Sequence, residues 1–370
     1  MPAVKNFLII QQKMIGDVLL GSILCENIKK YYPNSVIDFV VYDFALGVIE
    51  NNPYIDNYIV FKKSYRLNPF CFIKFLFGFR KKKYDFLIDS YGKLESIFIS
   101  LFAQSKIKIA YYKKRTNFLY NYNIQRVSDK KRSHYFSIDN DLQTSIRDKL
   151  LLLSPILDKK ANLIVEPKIY LKEEEIQKAE KDLENAHLNN KNLIMISALG
   201  SCKKKTYPLS YMAEVLDYII ENTNSKLLLN YAPNQRNLIK ILLKNVKNKN
   251  RPYIITGIFG EKLRAFLSLA FLCKVIIGNE GGAINMAKAL KKPTFAIFSP
   301  GIGPEGWLHR KDKVNVAVEL SNYFPNYYEN LSWKERSKNY KVFYNYFEPK
   351  LLKKDLWEFL KKNDLIIRKK

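Results

Sequence analysis

Histidine and cysteine are scarce in this chain: three histidines and four cysteines in 370 residues. Cys25, Cys71, Cys202 and Cys273 lie far apart without a Cys-x-x-Cys pair, and His134, His187 and His309 have no second ligand at metal spacing. This argues against a disulfide framework or a zinc site, and it fits a reducing compartment. No apolar run reaches the roughly 18–20 residues needed to span a bilayer. Strand-like residues begin at Phe7, so no secretory signal is expected and the protein is placed in the cytoplasm. Neither a Gly-x-Ser-x-Gly nor a Walker-A sequence occurs, which weakens serine-hydrolase and P-loop readings. Acids are in short supply too: 35 Asp and Glu face 62 Lys and Arg, a net charge of +27.

Such a balance favours anionic partners: nucleic acid, an anionic membrane face or phosphorylated substrates. The excess is mostly lysine spread along the chain, so a solvated surface accounts for it equally well. Hydrophobic residues make up 47% of the sequence, enough to fill real cores, and the length suits two domains. Strand-like runs at 6–11, 36–41, 58–61, 84–89 and 107–111 alternate with helical stretches such as 17–31 and 94–104. After a less regular middle, which includes a candidate edge strand at 120–127, a second series of strands follows at 193–198, 226–231, 253–256, 275–277 and 294–298. The helices between these lie at 209–222, 235–246, 262–273 and 283–290. This alternation predicts an α/β fold with parallel sheets, as two successive Rossmann-like domains. The expected division is 1–172, 173–340 and a C-terminal helical segment, 341–370. Ligands of such sheets sit at the carboxyl ends of the strands.

The stretch KVIIGNEGGAINMAKALKKPTFAIFSP, residues 274–300, reads as strand, glycine turn, short helix, strand. Gly281 and Gly282 let the backbone approach a ligand, the helix start offers free N–H groups to a phosphate, and Glu280 can accept sugar hydroxyls. An ordinary strand-to-helix turn is the alternative. In ALGSCKKKTYPLSYM, residues 198–212, Gly200, Ser201 and Lys203 to Lys205 combine backbone N–H, hydroxyl and ammonium groups that suit a diphosphate. The alternative there is a solvated basic loop. In the next loop, residues 230–237, Asn234 or Gln235 is a candidate for a ribose hydroxyl. Asp17, where the first strand gives way to helix, is either an N-cap or a general base. Residues 69–83, PFCFIKFLFGFRKKK, are either a buried helix or one lying on an anionic membrane surface.

Taken together, four segments resemble glycosyltransferase family 9, the lipopolysaccharide heptosyltransferases. They are FLIIQQKMIGDVLLGSILCENIKKYYPNSVIDFVV, NNPYIDNYIVF, KTYP and IIGNEGGAINMAKALKKPTFAIFSP. They run in the family's order from about residue 6 to residue 300. The resemblance implies a GT-B architecture, two facing Rossmann-like domains with an interdomain cleft, the first holding the acceptor and the second the nucleotide sugar. It implies inverting transfer without a metal or other cofactor, ADP-heptose being the candidate donor. By position Asp17 matches the family's general base and Lys205 its donor-contacting lysine. Gly200 and Ser201 match the diphosphate-binding pair, and Glu280 falls on the aspartate that holds the donor sugar. The remaining donor-site candidates are Gln235, Gly281, Gly282 and Asn285. The C-terminal helix is a candidate to pack back on the first domain.

Three positions depart from the family pattern: Glu280 replaces aspartate, Gly281 replaces serine or threonine, and Asn285 replaces histidine. The expected partners are a nucleotide-sugar donor, a lipid-linked glycan acceptor and the anionic inner face of the cytoplasmic membrane. Competing readings are a degenerate family member, an epimerase of nucleotide sugars with the same architecture, and a basic nucleic-acid-binding protein. The last requires a basic stripe with interleaved aromatics and a steep salt dependence.

Overall fold

A computed structural model describes residues 4–127, 142–189, 192–258, 260, 262–300, 314–328 and 331–367. His134 and His309 therefore lie outside the described residues. The chain divides into two compact units, Met1–Tyr170 and Leu171–Lys370.

The first unit alternates strand and helix: β1 (Asn6–Ile10), α1 (Ile15–Tyr31), β2 (Val36–Tyr42), β3 (Asn57–Phe61), α2 (Ser64–Leu67), α3 (Pro69–Gly78), β4 (Lys83–Asp89), α4 (Leu94–Phe102), β5 (Gln104–Tyr111), β6 (Tyr122–Ile124) and α5 (Thr144–Leu151). Its six strands pair in parallel in the order β3-β2-β1-β4-β5-β6. Strand β1 lies near the middle and is almost wholly apolar because both of its faces are covered. Leu8 and Ile10 pack with Phe61, Leu76, Phe79 and Ile99 in one core. On β1 the alternate residue Phe7 stacks on Phe86 at 4.9 Å between ring centres.

Asn27 of α1 is fully buried, donating to the Ile164 carbonyl and accepting from the Ile164 N–H, both at 2.8 Å. These bonds tie the connector after α5 to the first unit. The expected edge strand at 120–127 is the three-residue β6.

The second unit begins with α6 (Glu173–Asn185) and continues through β7 (Asn192–Ser197), α7 (Leu209–Asn222), β8 (Ser225–Asn230), α8 (Arg236–Asn245), β9 (Ile254–Ile255), α9 (Leu263–Leu272), β10 (Val275–Asn279), α10 (Gly282–Ala289), β11 (Thr294–Ile297) and β12 (Val316–Val318). Four helices close it: α11 (Leu320–Tyr323), α12 (Trp333–Lys338), α13 (Tyr340–Tyr346) and α14 (Pro349–Lys362). The sheet is again six-stranded and parallel, in the order β12-β11-β10-β7-β8-β9.

The C-terminal segment contributes to the core of the second unit. Leu352, Leu356, Phe359 and Leu360 recur at helical spacing along α14, and all four are buried in the core of the second unit with Ile219 and Phe295. Ile367, beyond that helix, donates its N–H to the Asn222 carbonyl at 3.1 Å. Among the described residues no helix is long and apolar enough to cross a membrane.

In each sheet the strand order reverses next to the strand that opens the unit, between β1 and β4 and between β7 and β10. Loops leaving neighbouring strands there turn to opposite faces and open a crevice at their carboxyl ends, where α/β sheets bind ligands.

Candidate functional site

In the second unit the loops after β7 and β10 flank that reversal. Gly278 near the end of β10 has φ +145°, and a Cβ there would lie 2.1 Å from the Ser197 carbonyl oxygen, so β7 and β10 meet at a point only glycine allows. Asn279 follows it and is 1% exposed. Its Nδ2 donates to the Ser197 and Ala198 carbonyls at 3.2 and 2.7 Å, and its Oδ1 accepts the Tyr207 N–H at 2.7 Å. One buried amide thus fixes both ends of the 198–207 loop.

Within that loop Gly200 donates to Thr206 Oγ1 at 3.1 Å, and the Thr206 hydroxyl donates to the Cys202 carbonyl at 2.9 Å. Lys203–Lys205 form a 3₁₀ turn. The Ser299 and Tyr344 hydroxyls donate to the Lys204 carbonyl at 2.7 and 3.1 Å. Lys203 and Lys204 are exposed, whereas Lys205 turns inward. Its Nζ lies 2.9 Å from Glu280 Oε1, the two side chains being 33% and 4% exposed. The contact is an ion pair whose angles do not make a hydrogen bond, so Oε1 stays without one. Pro208 is the N-cap of the next helix, α7, which starts at Leu209.

The other candidates fall into two groups. Gly281 is the N-cap of α10, with φ +147°, and Gly282 and Asn285 lie in the first turns of that helix. The partial positive charge of the α10 N-terminus therefore sits one residue beyond Glu280. Gln235 borders the loop: its Nε2 lies 3.4 Å from the Gly200 carbonyl, while its Oε1 accepts the Ala232 N–H at 2.9 Å. Ser201 is exposed. Neither Ser201 nor Asn285 makes a side-chain hydrogen bond among the described residues.

Asp17 belongs to the first unit. It lies in the first turn of α1, but Met14 holds the N-cap position and makes no side-chain capping bond. The N-cap reading is therefore corrected. The half-buried carboxylate accepts no hydrogen bond among the described residues.

Nearby is a buried polar cluster that the sequence did not reveal. Lys149 of α5, 6% exposed, donates to Gln11 Oε1 and, at 2.9 Å, to Ser90 Oγ. Ser90 Oγ also donates to Gln11 Oε1 at 2.5 Å. Gln11 and Ser90 follow β1 and β4, so this cluster sits at the first sheet's own reversal. Burial pulls the lysine pKa down to about 8, against the opposing pull of Asp17. Beside it Gln12 is fully buried, with neither end of its amide paired. Buried polar groups are seldom left so, which marks the spot for a ligand or water. Asp89 shapes the turn after β4, accepting from the Tyr91 and Gly92 N–H groups at 3.0 and 2.7 Å and from the Tyr120 hydroxyl at 2.7 Å. Burial raises its pKa.

Comparison with known proteins identifies the family and the fold. The family model for glycosyltransferase family 9 (heptosyltransferase) matches residues 73–302. A Campylobacter coli protein named lipopolysaccharide heptosyltransferase 1 is 23% identical over 328 residues, 86% of this chain and 90% of that one. Among solved structures, a family 9 glycosyl transferase from Veillonella parvula superposes with a TM-score of 0.74 at 17% identity, covering 97% of both chains. The E. coli heptosyltransferase WaaC with ADP gives 0.66 at 15% identity, covering 97% of this chain and 99% of that one. The fold class is α/β, of the GT-B kind, and the chain belongs to glycosyltransferase family 9 (heptosyltransferase) and is a glycosyltransferase.

Proposed function

We propose that the enzyme transfers a heptose or related sugar, with inversion and without a metal, from a nucleoside-diphosphate donor to a lipopolysaccharide or other surface-glycan acceptor. The observation that carries this reading is the Lys205–Glu280 pair at the β7/β10 reversal, next to the α10 N-terminus. As the bond between the anomeric carbon and the diphosphate breaks, its electron pair leaves on the diphosphate oxygen. Lys205 and the free N–H groups of α10 face that growing negative charge, the role a divalent cation would otherwise fill. Gly200 and Ser201 line the same diphosphate, Gln235 reaches the ribose, and Glu280 accepts sugar hydroxyls while holding the Lys205 ammonium in place.

From the first unit, the Asp17 carboxylate takes the proton of the acceptor hydroxyl as the new bond forms on the opposite face of the sugar. The Campylobacter coli relative is named for lipopolysaccharide and one structural neighbour is described with ADP, which makes ADP-heptose the first donor to try. A lipid-linked acceptor places the enzyme at the inner face of the cytoplasmic membrane. Glu280, Gly281 and Asn285, where the family pattern has aspartate, serine or threonine, and histidine, set the donor specificity.

The test is turnover of ADP-heptose with a truncated lipopolysaccharide acceptor, with magnesium or with EDTA, the product anomer being read by NMR. An inverted product at equal rates in both buffers is expected. Retention of configuration, or loss of turnover in EDTA, would contradict the scheme.

A further inference from the structure

Helices α3 and α4 cover one face of the first sheet, and each presents apolar side chains on both of its sides. On α3 the inward side is ordinary core: Leu76 and Phe79 are buried, and Phe72 and Phe75 pack edge-on against Phe61 at 5.9 and 5.4 Å between ring centres. The outward side is also apolar. Phe70, Ile73 and Phe77 recur at helical spacing and are exposed, Phe70 by 83%, and Leu67 of α2 extends them at 75%. Neighbouring α4 does the same with Leu94, Phe98 and Leu101, Leu94 being 67% exposed. Edge-to-face contacts of Phe72 with Phe98 at 5.9 Å and of Phe77 with Phe102 at 5.4 Å join the two helices into one surface. A helix whose outer face meets water would carry polar residues there, and a contiguous exposed apolar patch marks an interaction surface.

The charge around the patch is predominantly positive. From Lys62 to Lys83 the chain carries eight Lys or Arg and no Asp or Glu. Glu95, at the start of α4, lies 3.2 Å from Arg66. The guanidinium of Arg80 lies 5.4 Å over both the Phe77 and Phe102 rings, so this cation borders the apolar centre directly. A second copy docking here would bring like charges together around the rim, which costs affinity. An anionic bilayer takes the apolar side chains among its acyl chains and the cations among its headgroups. The patch also reaches the sheet's carboxyl edge, since α4 begins just beyond Ser90, a hydrogen-bond partner of the cluster beside Asp17.

We propose that the outward faces of α2, α3 and α4 form a docking surface for an anionic lipid bilayer, held by Leu67, Phe70, Ile73 and Phe77 and by Leu94, Phe98 and Leu101. This gives the lipid-linked acceptor of the proposed reaction a surface on the enzyme, and it can be tested without any turnover.

The experiment is flotation of the full chain with vesicles of phosphatidylcholine alone or mixed with phosphatidylglycerol. The wild-type protein should float with the mixed vesicles and not with neutral ones. Replacing Leu67, Phe70 and Ile73 together by serine should weaken that binding at least about tenfold with the melting temperature kept, because those side chains face away from the core. A second variant, Lys74→Glu with Lys81→Glu, should lose the preference for anionic vesicles with the fold intact. The proposal is overturned if wild-type protein stays with the soluble fraction, or if both variants float like wild type. It is equally overturned if wild-type protein forms a dimer that the serine variant dissolves while vesicle binding is absent. Intact flotation by a protein inactive on every donor would sink the proposed reaction and leave the docking surface standing.

Discussion

Lys205 and Glu280 form an ion pair of unequal burial: the carboxylate side chain is 4% exposed and the ammonium side chain 33%. The two partners are therefore not equivalent in energy. Removing Lys205 leaves a charge stranded inside the protein, whereas removing the charge of Glu280 leaves an ammonium that water can reach.

Lys205→Ala should thus destabilise the second unit by about 3 kcal/mol, and Glu280→Gln by clearly less. In a Glu280→Gln background the Lys205→Ala change should cost little. Denaturant unfolding of the two single variants and the double variant measures this. Equal costs for the single variants would mean that the pair is solvated and does not hold Lys205 in place.

Asp17 accepts no hydrogen bond among the described residues and makes no cap, so its removal breaks no hydrogen bond of the fold and withdraws only its charge from the buried Lys149 ammonium. Asp17→Asn is expected to lower transfer by about 10²- to 10⁴-fold, the usual contribution of a general base. The variant should still fold cooperatively, with donor affinity at the wild-type value. Turnover close to wild type would remove Asp17 from the mechanism.

Lys149 gives a pH signature. Its folded-state pKa, about 8, lies below the ordinary lysine value of 10.5 because burial disfavours the charged form. Between those two values the unfolded chain holds a proton that the folded chain has lost. Raising the pH through that window therefore adds stability, and the burden of the buried charge is complete below it. Subtracting the stability of Lys149→Met from that of wild type at each pH should give a difference that rises across the window. A flat difference would show that the ammonium is solvated.

The contact at Gly278 is steric. Gly278→Ala forces a Cβ to 2.1 Å from the Ser197 carbonyl oxygen at φ +145° and should cost about 3 kcal/mol or more. Gly78, at the end of α3, has nothing within 4 Å of such a Cβ, and Gly78→Ala should change stability by no more than about 0.5 kcal/mol. Thermal unfolding of the two variants side by side reads the contrast.

The alternation of buried strands with amphipathic helices was legible in the sequence, because parallel strands covered on both faces read as apolar runs such as FLII. The glycine turn before α10 and the loop holding Lys205 were legible by residue type and order. Their direct contact was not, because it depends on Asn279 tying two loops that are distant in the chain. Lys149 escaped notice because nothing around a lysine in a leucine-rich helix tells which way it turns; packing at the first sheet's reversal decides that. Helix α3 was ambiguous for a related reason. With apolar residues on both sides it has no polar stripe to mark an outer face, and only the contacts of Leu76 and Phe79 reveal which side is core. Strand β12 is three residues long, too short to leave a periodic signal.

A nucleotide-sugar donor held by Lys205 at the second sheet's reversal can be detected by calorimetric titration of ADP-heptose and of other nucleoside-diphosphate sugars. Wild-type protein and the Lys205→Ala variant would each be titrated with magnesium and with EDTA. One class of donor should bind selectively, with the same affinity in both buffers, and at least about tenfold more weakly in the variant, the loss of a charge-assisted contact. No binding by any nucleotide sugar, or equal affinity in wild type and variant, would contradict this reading of the site.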